Sequence, residues 1–212
     1  KQFLLFSLAI SLAVAGNSNH QPPSVRPDLT TGRHSAGVPA GLDASDWNQI
    51  RAEYERRRRE VVQAGQEYQA RNDGQQMLAR FDGRGFLVEP DGADWRWGLQ
   101  LSRYGFAGTE RAVTVPRSAS ADKDRFTYFW DAGVEEWFSN QSQGLEHGVT
   151  LASRPRGGNG PLLLDFTVRG GLTAQYQTDG KGVSFLDKTG GQVLHYAGLK
   201  AWDADGTHLP AR

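Results

Sequence analysis

Between Trp130 and Ala152 the chain gathers Asp131, Glu135, Glu136, Glu146 and His147, side-chain types from which hydrolytic sites are made. Glycoside hydrolysis needs two carboxylates about 5–5.5 Å apart for retention of configuration, or about 6.5–9.5 Å for inversion. Glu135 and Glu136 are adjacent in a strand-like run and so point to opposite faces. That leaves Glu136 and Glu146 as the catalytic candidates, a pair that neighbouring strands would have to bring together. For Glu146 the sequence favours a structural role, as a buried carboxylate accepting backbone N–H groups of the 140–144 loop. His147 alternates in step with Leu145, Val149 and Leu151. It is therefore expected in the core with its ring nitrogens satisfied.

Other chemistry is thinner. Asp203-Ala-Asp205-Gly206 has the opening of a calcium loop, but a calcium ion takes six to eight oxygens, and Thr207-His-Leu-Pro supplies no later carboxylate. Asp203 and Asp205 are thus metal candidates on spacing alone, and a hairpin turn is the expected structure. The five histidines lack the spacing of a zinc site. There is no Gly-x-Ser-x-Gly elbow, and Gly157-Gly-Asn-Gly160 lacks the Lys-Ser/Thr of a phosphate loop. The absence of cysteine excludes disulfides and thiolate chemistry. With 24 basic and 24 acidic residues, no net field recruits nucleic acid.

These side chains need a β scaffold. The 26 glycines and the 10% aromatic content suit a turn-rich β protein. Asp-Gly, which favours the positive φ of tight turns, begins at Asp73, Asp82, Asp91, Asp179 and Asp205. The first three predict a meander. Trp95, Trp97, Leu99 and Leu101 alternate with smaller or polar residues and read as core rather than as a sugar-stacking platform. Leu162, Leu164, Phe166 and Val168 repeat the pattern. Roughly a dozen short strands at this spacing, linked by hairpins, predict a mainly β fold: an antiparallel β-sandwich over 65–212.

At Asp131-Ala-Gly133 two registers compete. A three-residue loop with Gly133 left-handed pairs Phe126 with Phe138. It collects Phe126, Tyr128, Trp130, Val134 and Phe138 on one face, interrupted by Glu136, and is favoured over a two-residue turn. Trp130, Trp137 and Asn140 then read as structural, and Gly133, Gly144 and Gly148 as backbone punctuation.

Ahead of the strands, residues 43–64 predict one helix, capped by Asp43 or Ser45. Its Trp47, Ile50, Tyr54 and Val61 are expected to pack on the sandwich, and Arg56–Arg59 to form a solvated face among Glu53, Glu55 and Glu60. Residues 1–15 read as a secretory signal peptide. Lys1 is followed by an apolar stretch and by Ala13-Val14-Ala15, a small-x-small cleavage signal, and about 12 apolar residues are too few to span a bilayer. Residues 16–42, rich in Pro, Ser and Gly, read as a disordered spacer.

Several segments together resemble one family. Trp137-Phe-Ser-Asn140 and Gly144-Leu-Glu-His-Gly-Val-Thr-Leu151 are similar to a block in bacterial secreted FG-GAP (integrin α-like) repeat proteins, in the region ahead of the β-propeller. So are Tyr68-Gln-Ala-Arg-Asn72, Arg80-Phe-Asp-Gly-Arg-Gly-Phe86, Trp97-Gly-Leu-Gln-Leu101, Leu194-His-Tyr196 and Leu199-Lys-Ala-Trp-Asp-Ala-Asp-Gly206. The resemblance covers about residues 45–212. It implies a secreted or cell-surface structural or adhesion-type module, without catalysis of its own, with a propeller following Arg212. The partner would be an extracellular protein or glycan, and calcium would belong only to that downstream propeller. No FG-GAP repeat lies in this chain, and His147 stands where members often carry Gln. The alternative is a carbohydrate-binding or glycan-cleaving sandwich using Glu136, Glu146 and surface tryptophans. Burial of Trp95, Trp97 and Trp130 would count against it.

Overall fold

The Asp-Gly turns and alternating strands fold as two antiparallel layers. A computed structural model describes residues 9–14, 38–178, 180 and 182–212. Its elements are β1 (Ala9–Val14), α1 (Ala44–Arg58), β2 (Val61–Ala64), β3 (Glu67–Asn72), β4 (Met77–Phe81), β5 (Phe86–Pro90), β6 (Trp97–Phe106), β7 (Arg111–Ala112), β8 (Ser118–Asp122), β9 (Arg125–Phe129), β10 (Val134–Gln141), β11 (Gly144–Leu151), β12 (Leu162–Gly170), β13 (Thr173–Tyr176), β14 (Gly182–Leu186), β15 (Gln192–Trp202) and β16 (His208–Leu209). One sheet has nine strands in the order β13-β14-β15-β1-β11-β10-β9-β8, with β16 on β15. The other has seven, β12-β6-β5-β4-β3-β2, with β7 on β6. The expected mainly β, antiparallel sandwich with one helix is what the chain forms.

Aromatic rings from both sheets fill the space between them. Phe81 of β4 stacks on Phe126 of β9 at 4.3 Å, Phe86 of β5 lies 5.0 Å from Phe138 of β10, and Trp97 of β6 lies 4.6 Å from Phe185 of β14. Polar ties cross the same gap. The Tyr128 hydroxyl accepts from the Gly83 N–H at 2.9 Å and donates to the Gly85 carbonyl at 2.9 Å. Within the seven-stranded sheet, Arg169 of β12 grips Asp82 of the same turn with two bonds, at 3.0 and 2.6 Å. Burial pushes the Asp82 carboxyl up, but the hydrogen bonds from Arg169 and from the Arg84 N–H outweigh this and hold it below its usual range.

One expectation needs correcting. The helix is capped by Asp43, which accepts from the Asp46 N–H at 2.8 Å, but it ends at Arg58 and buries none of its residues. Ile50 and Tyr54 stay exposed instead of packing on the sandwich, because Glu–Arg pairs such as Arg56–Glu53 at 2.6 Å hold the helix together locally. The β-branched Val61-Val62 then opens edge strand β2, which pairs with β3 where the helix was expected to continue. The apolar N-terminal stretch supplies Ala9–Val14 as strand β1, between β15 and β11 in the nine-stranded sheet. Residues 1–8 and 15–37, with Ala15 of the cleavage signal and most of the spacer, lie outside the described residues, as does Asp179. No helix among the described residues is long and apolar enough to cross a membrane.

Candidate functional site

Strands β10 and β11 pair as the sequence requires, and that pairing separates the two candidate acids. Glu136 stands opposite Val149, and Glu146 opposite Ser139. Cross-strand partners share a face and neighbours along a strand alternate, so the two carboxylates project from opposite faces of the sheet. Glu136 and Glu146 therefore do not form the geometry of a two-carboxylate hydrolase.

Glu136 is the buried member, with no exposure at all. Its Oε2 accepts from Trp130 Nε1 at 2.9 Å, and its Oε1 lies 2.8 Å from His147 Nε2. His147 Nδ1 lies 2.8 Å from the Tyr196 hydroxyl on β15. Burial, then the Glu136 charge, pushes the Tyr196 phenol well above its ordinary value, which keeps it a neutral donor. The phenol therefore donates to Nδ1, and Nε2–H donates to Glu136, so every group in the relay is satisfied. Phe138 stacks on the imidazole at 4.6 Å and 7°, and Phe86 and Phe166 close its edges. Sealed by these rings, the relay joins strands without reaching a cleft.

The structural role expected of Glu146 falls to other residues. Glu146 is half-buried and accepts from the Gln141 side chain at 2.9 Å, not from loop backbone. Asn140 anchors this region. Its Nδ2 donates to the Arg59 and Arg71 carbonyls at 3.0 and 2.8 Å, and its Oδ1 accepts from Asn72 at 2.8 Å. The favoured hairpin register is observed, with Phe138 opposite Phe126 and the Trp130 N–H donating to the Val134 carbonyl at 3.0 Å. Gly133 is not left-handed, however. Its N–H donates to Asp131 Oδ1 at 2.7 Å, and this side-chain closure replaces the backbone twist. Gly144 does take a positive φ of 147° at the head of β11, and Gly148 stands opposite Trp137.

All six tryptophans are buried or half-buried, so no exposed tryptophan platform is present among the described residues. Trp97 and Trp130 are 0% and 5% exposed, and Trp95 packs against the core. Trp137 lies under Arg125, whose guanidinium is 4.2 Å from its ring. Asp203 accepts from the Asp205 and Thr207 N–H groups at 3.0 and 2.9 Å, as a hairpin turn requires. No three His, Asp or Glu side chains among the described residues converge to hold a metal ion.

The arrangement that sequence reasoning missed lies at one end of the sandwich. The β9–β10 loop, the β11–β12 loop, β7 and the segment after it surround a cleft of about 470 Å³ beside β6. Arg111, Arg117, Arg154 and Arg156 line it beside Tyr104, with Asp131 the only carboxylate. Asp131 is already engaged by the Tyr104 hydroxyl and the Gly133 N–H. Burial and then this carboxylate push the Tyr104 phenol up to about 12. Arg154 lies 4.6 Å over the Phe106 ring and donates to the Gly158 carbonyl at 3.2 Å. Arg111, Arg117 and Arg156 form no ion pair among the described residues, whereas Arg56, Arg71, Arg103 and Arg169 do. The only hint in the sequence is that three of the four adjoin a proline, in Pro116-Arg117 and Arg154-Pro-Arg156.

Comparison with protein-family models, with curated proteins and with solved structures finds no match.

Proposed function

We propose that this chain is a non-catalytic recognition module of an exported or cell-surface protein. It is adhesive in character, released by cleavage near Ala15, and placed ahead of an FG-GAP-type propeller. Its arginine-lined cleft binds the anionic groups of an extracellular partner, and an acidic glycan bearing carboxylate or sulfate suits it best. The observation that carries this reading is the convergence of four arginines on one cleft whose single carboxylate is already committed. Guanidinium groups present paired donors in a planar fork that matches oxyanions, and the cleft has the size of a small-ligand site. A glycan-cleaving sandwich is the weaker reading, because Glu136 and Glu146 occupy opposite faces and no tryptophan is exposed.

Calorimetric titration of the full chain with a sulfated oligosaccharide and with polyuronate, using neutral dextran as control, tests the binding. The expected result is saturable, salt-sensitive binding to an acidic glycan, lost in Arg117→Gln/Arg156→Gln. Equal binding to dextran, or none to either acidic probe, would sink the reading. The propeller is checked separately by whether the coding sequence after Arg212 carries Asp-x-Asp-Gly repeats.

A further inference from the structure

Strand β1 joins two halves of the nine-stranded sheet that do not otherwise pair among the described residues: β8–β11 on one side, β13–β16 on the other. On β11, Ile10 stands opposite His147 and Leu12 opposite Leu145. On β15, Leu12 stands opposite Tyr196 and Val14 opposite Leu194. All four wall residues are buried. The large residues of Ala9-Ile-Ser-Leu-Ala-Val14 thus fall at core register positions, with Ala9, Ser11 and Ala13 between them. A leader's apolar stretch needs no such alternation; a central strand does.

The walls are built to stand one strand apart. Adjacent strands lie about 4.8 Å apart, so β11 and β15 are separated by about 10 Å. The 2.8 Å bond from His147 to Tyr196 spans that gap on the core side. Left empty, the gap would strand two rows of backbone N–H and C=O groups beside an apolar floor. The next segment of the chain is no substitute. It lacks the large-small alternation of Ala9–Val14 and carries Pro22, Pro23 and Pro27.

We propose that the gap between β11 and β15 is a strand-acceptor slot, which takes one extended segment with large apolar side chains at alternate positions. Ala9–Val14 fills it in the chain as written. Once that leader is removed, an extended strand of the same pattern from a partner polypeptide takes its place. Main-chain ladders on both sides supply affinity, and the alternating positions supply selectivity. The partner half rests on leader cleavage, which belongs to the function proposed above; the slot itself does not.

The test uses the full chain carrying Leu12→Pro, because proline cannot occupy a central strand and so evicts β1. A fluorescent peptide of the sequence Leu8–Ala15 is titrated and followed by anisotropy. Binding to the variant should be saturable and at least about tenfold tighter than to the wild type, whose slot is filled at high effective concentration. The same peptide with Leu12→Asp should not bind. Absence of binding to a variant that keeps its β circular dichroism, or equal binding to wild type, overturns the proposal. If the variant does not fold alone, peptide present during refolding should restore it, and failure to do so also overturns the slot. The mass of the exported protein tests the leader independently. Loss of residues 1–15 leaves the slot to a partner, and their retention assigns it to the chain's own strand and overturns the partner half.

Discussion

The Glu136 carboxylate and the His147 imidazole meet at 2.8 Å on neighbouring strands, with both side chains sealed from solvent. A buried carboxylate of this kind stabilises only while all its donors are present. Replacing Glu136 by Gln keeps the volume but turns one oxygen into a donor that faces Trp130 Nε1 or His147 Nε2. Glu136→Gln should therefore lose about 2–4 kcal/mol in urea unfolding. Glu146→Gln alters only a half-exposed bond to Gln141 and should stay within about 0.5 kcal/mol. Equal losses for the two would contradict the assignment of the buried role to Glu136.

Alkaline pH should unfold the protein through its tyrosines. Burial, followed for Tyr196 by the Glu136 charge, raises the phenols of Tyr196 and Tyr128 above their ordinary value of 10.0. Below about pH 10 both states hold these protons and stability is unaffected. Above it the unfolded chain releases them while the folded chain keeps them, so stability falls as pH rises. Each tyrosine contributes a slope of about 1.4 kcal/mol per pH unit. Denaturant midpoints between about pH 9 and 11.5 measure the slope; Tyr104, whose phenol is also raised, adds to it, so Tyr196→Phe should lower it by about a third. A flat profile would show that these hydroxyls reach water.

Much of the scaffold was legible because one-sided burial leaves its period in the sequence. The Trp97–Leu101 alternation and the Phe126–Phe138 register follow from a face that must be apolar, and both are observed. The helix was misjudged because apolar spacing at Trp47, Ile50 and Tyr54 carries no information on whether a partner surface lies within reach. At the candidate site, parity along β10 and β11 was sufficient to separate Glu136 from Glu146 once their pairing was fixed. Which of the two faced the core was legible too, since Glu136 shares the parity of Val134 and Phe138 whereas Glu146 is out of step with Leu145, His147 and Val149. The arginine cleft was illegible for a different reason: its arginines come from β7, from the segment after it and from the distant β11–β12 loop, and only the hairpin topology brings them together.

Gly98 should tolerate no side chain. A Cβ there would lie 1.8 Å from the Phe86 carbonyl oxygen and 2.7 Å from its carbon, both rigid backbone atoms of the adjoining strand. Strands β5 and β6 would have to part beside Trp97 and Phe86, the largest rings of that layer. Gly98→Ala should cost about 3 kcal/mol. Gly171→Ala, where a Cβ meets nothing within 4 Å and φ is not positive, should change stability by less than about 0.5 kcal/mol. Comparable melting shifts for both would refute the close approach of the two strands.

Asn140 must be an amide, because its two ends do opposite things. Nδ2 donates to the Arg59 and Arg71 carbonyls, while Oδ1 accepts from Asn72, tying the end of β10 to β3 and to the segment after α1. Asn140→Ala leaves those carbonyls without a donor and should cost about 2–3 kcal/mol. Asn140→Asp should cost more at neutral pH, since it places a carboxylate against two carbonyl oxygens. That carboxyl would have a folded pKa raised above its unfolded value. The folded state then takes up a proton that the unfolded state does not, so the stability of Asn140→Asp should rise as pH falls from about 7 to about 4. Asn140→Ala has no such group, and the gap between the two variants should narrow over the same range. A constant gap would mean that the Asn140 side chain is free to turn away from the Arg59 and Arg71 carbonyls.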